Sequence, residues 1–388
     1  MISPTSKSHR SRSQSLALAK RLLRTRHRLK VALVQSWSAT TGGLSRFESE
    51  LRCGALGSHP SRLELPPLTL RSPDGRSIFS RGQSLVAEPS SRLLRVVPGA
   101  HVLSTRGIIL SQDRRFITEN VYGDEEAALR HGALSAFIRS FSTAESRLGV
   151  VFSLLGPYAY NYFHWLIDYL PRVEDFLLWR AVCAPNAKLL VSPGPWQIRL
   201  LELLGVDREC CVSYPDIHST AELVAVASHP GYLAPHLPAT PERLTWLRSR
   251  ILGALELKER PGTRRLFISR RDSTRRPVAN EEEIARALDG CGFETVVLRE
   301  LEIDEQVRLF AAAKVIVAVH GAGLANLVFS TAPTVIELFA EDWVRPNFQA
   351  LTLFTGGKHV GISLQGSSAN ARADVEGLLR VLAEEVEQ

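Results

Sequence analysis

The chain has 388 residues, 45% of them hydrophobic and 22% charged, an ordinary balance for a globular protein with room for two buried cores. Its net charge of +7 is local: residues 1–30 hold nine Lys/Arg and no acid, so the remainder carries −2. That balance argues against nucleic-acid binding beyond the tail, and five cysteines (Cys53, Cys183, Cys210, Cys211, Cys291) with no C-x-x-C pair argue against a zinc site or a disulfide framework.

Residues 1–15 are Ser/Arg-rich and read as disordered. Leu16, Leu22, Leu23, Leu29 and Leu33 follow rough helical spacing between arginines. Such a basic amphipathic helix suits peripheral contact of residues 1–33 with an anionic membrane, or a tail with one face packed on the body. An acid-free Arg/Ser-rich start also fits a transit peptide. No apolar run approaches the length of a membrane span, and no secretory apolar segment follows Met1. Residues 36–60 read as irregular. Short β-like runs at Leu93–Val97, His101–Leu103, Gly107–Leu110 and Arg115–Ile117 predict a small meander.

A regular alternation begins at Val150. Strands are predicted at Val150–Leu154, Lys188–Val191, Cys211–Tyr214 and Leu223–Ala227, with helices at 160–182 and Gln197–Leu204. Prolines 230, 235, 238 and 241 then mark a linker. Beyond it come a helix at 242–257, a strand at Leu266–Ser269, and a helix opened by an Asn280/Glu283 capping box and ended by Gly290 and Gly292. Strand Thr295–Leu298, helix Asp304–Ala313, strand Val315–Val319, helix 323–329, strand Val335–Phe339 and an acidic helix at 373–386 follow. This pattern predicts an α/β fold with parallel sheets, ligands lying at the carboxyl ends of strands. The predicted units are a tail (1–35), an N-terminal domain (36–230) that begins with a small β-rich region, a C-terminal domain (240–365) and a terminal helix (366–388).

Three stretches carry candidate chemistry. In the first, strand Val315–Val319 runs into His320-Gly321-Ala322-Gly323 and then a helix containing Asn326. Glycines permit close backbone approach, and free N–H groups at a helix start attract anions. A tight turn with a satisfied histidine explains the same residues. In the second, Arg270, Arg271, Arg275 and Arg276 follow a strand end; guanidinium forks suit diphosphate oxygens, against the plainer reading of a solvated basic loop. Glu337 in the strand VIEL fits either ribose hydroxyls or a neighbouring arginine. In the third, Asn161, His164 and Asp168 share a helix face, with Arg172 beyond the helix-breaking Pro171. Asp168 can orient His164, or either can act as base, or the pair is structural. Aromatic neighbours (Tyr160, Tyr162, Phe163, Trp165, Tyr169) suit a sugar cleft or an ordinary core. No D-x-D triplet occurs, so no metal is assigned to the diphosphate.

Together NYFHWLIDYLPR (161–172), SRRDSTRR (269–276), HGAGLANLVF (320–329) and VIEL (335–338) resemble, in order and spacing, the family 61 glycosyltransferases. The resemblance covers about 150–365. It implies a GT-B-like fold, two Rossmann-like domains facing a cleft, and inverting, metal-independent transfer from a nucleoside-diphosphate sugar as co-substrate, with no cofactor. On matching positions it implies Arg270 with Arg271 or Arg276 at the diphosphate; His320, Gly321, Gly323 and Asn326 in the phosphate turn; and Glu337 at the ribose. His164 and Asp168 would face a glycan or lipid-linked acceptor, flanked by Asn161 and Arg172. The secretory anchor of eukaryotic members has no counterpart in this sequence, which favours a bacterial cytoplasmic enzyme, on the inner membrane face if the tail binds lipid, in surface or capsular polysaccharide synthesis. A non-catalytic adaptor using the basic tail, and a nucleotide-sugar epimerase or hydrolase, are the competing readings.

Overall fold

The computed structural model describes residues 63–65, 68–71, 77–81, 85–87, 94–117, 132–227 and 241–386. The predicted basic tail, the irregular stretch 36–60 and most of the proline-rich linker lie outside the described residues. Strands β1 (Leu63–Leu65), β2 (Leu68–Arg71), β3 (Ser77–Arg81), β4 (Leu85–Ala87), β5 (Leu94–Pro98), β6 (His101–Val102) and β7 (Ile109–Leu110) precede helix α1 (Ala133–Arg139).

The alternation predicted from Val150 is present. Strand β8 (Ser146–Ser153) leads into a helical stretch made of α2 (Tyr162–His164), a π-helical segment Trp165–Tyr169, a 3-10 turn Leu170–Arg172 and α3 (Val173–Val182). Pro171 falls in the 3-10 turn, where its missing N–H and fixed φ are tolerated. Strand β9 (Lys188–Val191), helix α4 (Pro195–Leu203), β10 (Cys211–Ser213) and β11 (Ser219–Ala227) complete the first parallel run, in spatial order β10-β9-β8-β11. The predicted meander is not a separate unit: β5 and β6 pair antiparallel with β11 and extend this sheet.

The second sheet is built from β12 (Arg264–Ile268), β13 (Glu294–Val296), β14 (Ala313–Val319), β15 (Thr334–Phe339) and β16 (Lys358–Ser363), in the order β13-β12-β14-β15-β16. Its helices are α5 (Pro241–Ala254), α6 (Glu281–Asp289), α7 (Ile303–Ala311), a 3-10 helix Ala322–Phe329, α8 (Asn347–Phe354) and α9 (Val375–Val386). In β14, AKVIVAV is buried at all positions except Lys314, as a parallel strand covered on both faces requires. Strand β2 adds parallel to β16, so a piece of chain assigned from sequence to the N-terminal domain extends the second sheet. The expected capping box is also rearranged. Asn280 Oδ1 accepts from Ala373 N–H (2.9 Å), while Nδ2 donates to Ala373 O (2.9 Å) and Glu283 (3.0 Å), tying α6 to the chain before α9.

The two sheets share one apolar core, continuous from Phe152, Trp165 and Phe176 to Leu266, Leu327 and Phe329. Both strand orders reverse direction of growth once, between β8 and β11 in the first sheet and between β12 and β14 in the second. Crevices open at the carboxyl ends of strands at such points. In the first sheet that position is closed by Arg172, which is 0% exposed and donates from one guanidinium nitrogen to Ser153 O (3.3 Å) and Ala227 O (3.0 Å), the last residues of β8 and β11. Burial pushes its pKa down to about 10, so it stays charged at neutral pH. Arg172→Leu leaves both carbonyls without this donor, and equilibrium denaturation is expected to show a loss of about 2–4 kcal/mol.

Candidate functional site

The corresponding point of the second sheet is built differently. Arg270 leaves the carboxyl end of β12, and His320 leaves that of β14. A Cβ placed on Gly321 would lie 1.9 Å from a guanidinium nitrogen of Arg270, so the arginine packs against the bare Cα. Gly321 is extended (φ −173°), a conformation open to any residue, so glycine is needed here for space alone. Gly323 serves packing, because its Cβ would lie 2.5 Å from Leu298. The first bond of the 3-10 helix runs from Leu324 N–H to Gly321 O, which leaves the N–H groups of Ala322 and Gly323 at its start. A guanidinium beside a helix N-terminus is an anion site by both charge and hydrogen-bond geometry.

The rest of the basic loop divides. Arg270 is fixed by bonds to Ser273 Oγ (3.0 Å) and Arg275 O (2.7 Å), and its backbone N–H donates to Glu281 (2.8 Å). Burial lowers its pKa, and Arg276 adds to that against the pull of Asp272 and Glu281. Arg276 is lowered likewise by burial and by Arg275. Arg271 does not join them; it pairs at the surface with Glu300 (3.1 and 3.2 Å).

Glu337 corrects a sequence expectation. It is 0% exposed, and its two oxygens are taken by His320 Nδ1 (2.6 Å) and His359 Nε2 (2.7 Å), so it orients histidines instead of facing a ribose. Burial would raise its pKa, but the two histidines outweigh burial and hold it below the usual carboxylate range. With Nδ1 on Glu337, His320 is left to present Nε2. Asn326 is corrected too. It is buried, accepts from Tyr162 Oη (2.6 Å) and donates to Gln306 (3.2 Å) and Gly323 O (3.2 Å), forming a strut between the two halves of the chain.

That strut brings the third stretch to the second. His164 Nδ1 lies 2.7 Å from Asp168 Oδ2 across the π-helical segment. Asp168 is only 2% exposed, and burial raises its pKa despite His164 and Arg172. The His164 side chain is 21% exposed and stacks on Tyr158 at 4.9 Å, which makes it the accessible member of the dyad. His164 meets Phe163 edge-on (5.3 Å), Phe163 meets Phe348 (5.5 Å), and Phe348 meets His320 (5.0 Å). Two carboxylate-oriented histidines therefore flank one aromatic bridge. Asn161 caps the helix, its Oδ1 accepting from Phe163 and His164 N–H, and Arg172 is fully buried. Phe348 and His359 escape a reading of the sequence because α8 and β16 do; NFQALTLF has no polar N-cap and no clear amphipathic period. Among the described residues no group of three or more His, Cys, Asp or Glu side chains is placed to hold a metal ion, and no helix is long and apolar enough to cross a membrane.

Residues 162–336 match the family model described as Glycosyltransferase 61, the family that the motifs resemble. The chain is 29% identical over 140 residues to a beta-1,2-xylosyltransferase of Arabidopsis thaliana, covering 30% of this chain and 26% of that protein. It is 28% identical over 146 residues to beta-1,2-xylosyltransferase RCN11 of Oryza sativa subsp. japonica, covering 33% and 27%. It is 32% identical over 233 residues to the rice beta-1,2-xylosyltransferase XAX1, covering 51% and 38%. The match thus spans between a quarter and two fifths of each relative's length.

Gly321→Ala can keep its backbone, but its methyl group displaces Arg270. Calorimetry with inorganic pyrophosphate is expected to show about tenfold weaker binding, with unfolding free energy changed by less than about 1 kcal/mol. Because the folded pKa of Glu337 is depressed, the stability it contributes is present above the ordinary carboxylate range and is lost as pH falls through the folded value. Denaturation across that window should show Glu337→Gln less stable than wild type at neutral pH and less sensitive to acid.

Proposed function

We propose that this family 61 chain is a glycosyltransferase that moves a sugar, a pentose such as xylose in the first instance, from a nucleoside-diphosphate donor to a glycan hydroxyl. The carrying observation is the Arg270 guanidinium seated on Gly321 at the helix start, joined through Tyr162–Asn326 to a dyad of half-buried His164 and buried Asp168. The pentose comes from the relatives' names, and the GT-B-like arrangement from two sheets with parallel centres, the second crevice lined with arginine and glycine.

The diphosphate lies at the second crevice, where Arg270, Arg276 and the N–H groups of Ala322 and Gly323 meet its charge. His164 is the base. Its Nδ1–H is held by Asp168, so Nε2 takes the proton of the acceptor hydroxyl as that oxygen attacks the anomeric carbon. The bond from the anomeric carbon to the β-phosphate oxygen breaks, and its electron pair leaves on the nucleoside diphosphate. Attack from the face opposite the leaving group inverts the anomeric centre. The imidazolium formed is stabilised by the Asp168 carboxylate 2.7 Å from Nδ1, which favours the transfer. Arginines and helix N–H groups meet the leaving charge, so the reading needs no metal.

A panel of nucleoside-diphosphate sugars, assayed for diphosphate release with and without EDTA, tests this. One pentosyl donor is expected to turn over equally in both. His164→Ala should lower kcat by about 10²–10⁴ with little change in donor KM, whereas Arg270→Ala should mainly raise that KM. Turnover abolished by EDTA, or unchanged in both variants, would overturn the mechanism.

A further inference from the structure

Beyond β15 the chain turns through residues 340–346, with Trp343 N–H bonded to Ala340 O (3.0 Å). The acids of this loop are bonded elsewhere. Glu341 accepts from Gly366 N–H (3.2 Å), and Asp342 accepts from the N–H and hydroxyl of Ser368 (2.7 and 2.8 Å). Trp343 remains 39% exposed, and two guanidinium groups lie over its ring: Arg276 at 5.4 Å from the ring centre and Arg345 at 4.7 Å. Indole faces hold cations, and here one ring gathers two cations from separate loops.

Neither cation is neutralised among the described residues. Arg345 bonds to Val344 O (2.9 Å), Arg276 Nε is buried without a hydrogen-bond partner, and neither guanidinium reaches a carboxylate. Arg270 Nε is buried and unpartnered as well. Arg276 also takes a positive φ of 53°, immediately before Pro277, a conformation an L-residue seldom adopts and one that such a neighbour disfavours further. Strained backbone kept at a charged residue that sits beside other charges of the same sign points to a function for that side chain. An anion spanning these groups would relieve their mutual repulsion.

We propose that Arg345 is a further diphosphate-binding residue, and that Trp343 is a positioning residue that holds Arg345 and Arg276 together as a clamp. The clamp rests on the donor reading above and extends it to a loop outside the matched segment 162–336. Closing on the diphosphate from two loops favours a two-phosphate ligand over a single phosphate, since the longer anion offers one charged group to each loop.

The test is calorimetry on the full chain with inorganic pyrophosphate, inorganic phosphate and a panel of nucleoside diphosphates. Arg345→Ala is expected to weaken pyrophosphate and nucleoside diphosphates about tenfold, and orthophosphate by much less. Trp343→Ala should cause a similar loss, and Trp343→Phe, which keeps an aromatic face, should restore most of it. Circular dichroism and unfolding midpoints of each variant exclude simple misfolding. Wild-type binding that is weakened by Arg270→Ala but untouched by Arg345→Ala overturns the clamp and leaves the donor site standing. Tight pyrophosphate binding that needs Arg345, with no preference for any nucleoside diphosphate, supports the clamp and removes the donor reading. No diphosphate binding by the wild type overturns both.

Discussion

The site rests on the contact of one guanidinium with one missing side chain. Arg270 lies where a methyl group on Gly321 would stand, and every other feature of the site is arranged about that contact. Strand β12 delivers the arginine, β14 delivers the glycine, and the strand order puts these two side by side with their helices diverging. Ser273 and the carbonyl of Arg275 fix the guanidinium, so little side-chain freedom is left to lose on binding an anion. Burial and the neighbouring Arg276 make its charge costly when unpaired, which makes a bound anion more favourable.

The contrast between the two sheets shows how one architecture yields a filled crevice and an open one. At the first switch point Arg172 is fully buried and reaches the terminal carbonyls of β8 and β11 with one guanidinium nitrogen. At the second, glycine replaces side chain and the arginine is only partly covered. The two halves are joined where chemistry is concentrated, by Tyr162–Asn326 and by the Phe163–Phe348 edge contact, and farther out by the Arg199–Asp304 ion pair (2.7 and 2.8 Å). Any shift of one half against the other would therefore move His164 relative to Arg270. The geometry at His164 and that at Arg270 are coupled through packed aromatics.

Much of this architecture is legible in the amino-acid order alone. The β-branched run Val315–Val319 ending at His320-Gly321 reads as a buried strand entering a tight turn, and the alternation around it specifies a parallel sheet. The His164–Asp168 pairing follows from their spacing, although the π-helical segment that carries it does not. Roles that depend on contacts across the chain are the ones that local pattern misassigns. Glu337 reads as a ribose ligand because nothing near it in the chain reveals His359 on the adjacent strand. Asn326 reads as a phosphate ligand because nothing local announces Tyr162, 164 positions earlier. Arg172 and Arg271 show the same limit: an arginine's partner is chosen by the fold, and one finds backbone carbonyls while the other finds Glu300. The pairing of β2 with β16 joins residues almost three hundred positions apart, and short strands carry no register signal over that distance.

The central claim is that a diphosphate is held at the second switch point, between Arg270 and the start of the helix at Ala322. A crystal structure of the full chain grown with a nucleoside diphosphate tests it most directly. Phosphate oxygens are expected within hydrogen-bond reach of Arg270 and of the N–H groups of Ala322 and Gly323, with Arg172 still on the carbonyls of Ser153 and Ala227. A nucleotide found in the first crevice with Arg172 displaced, or anywhere else with Arg270 left unengaged, would contradict it.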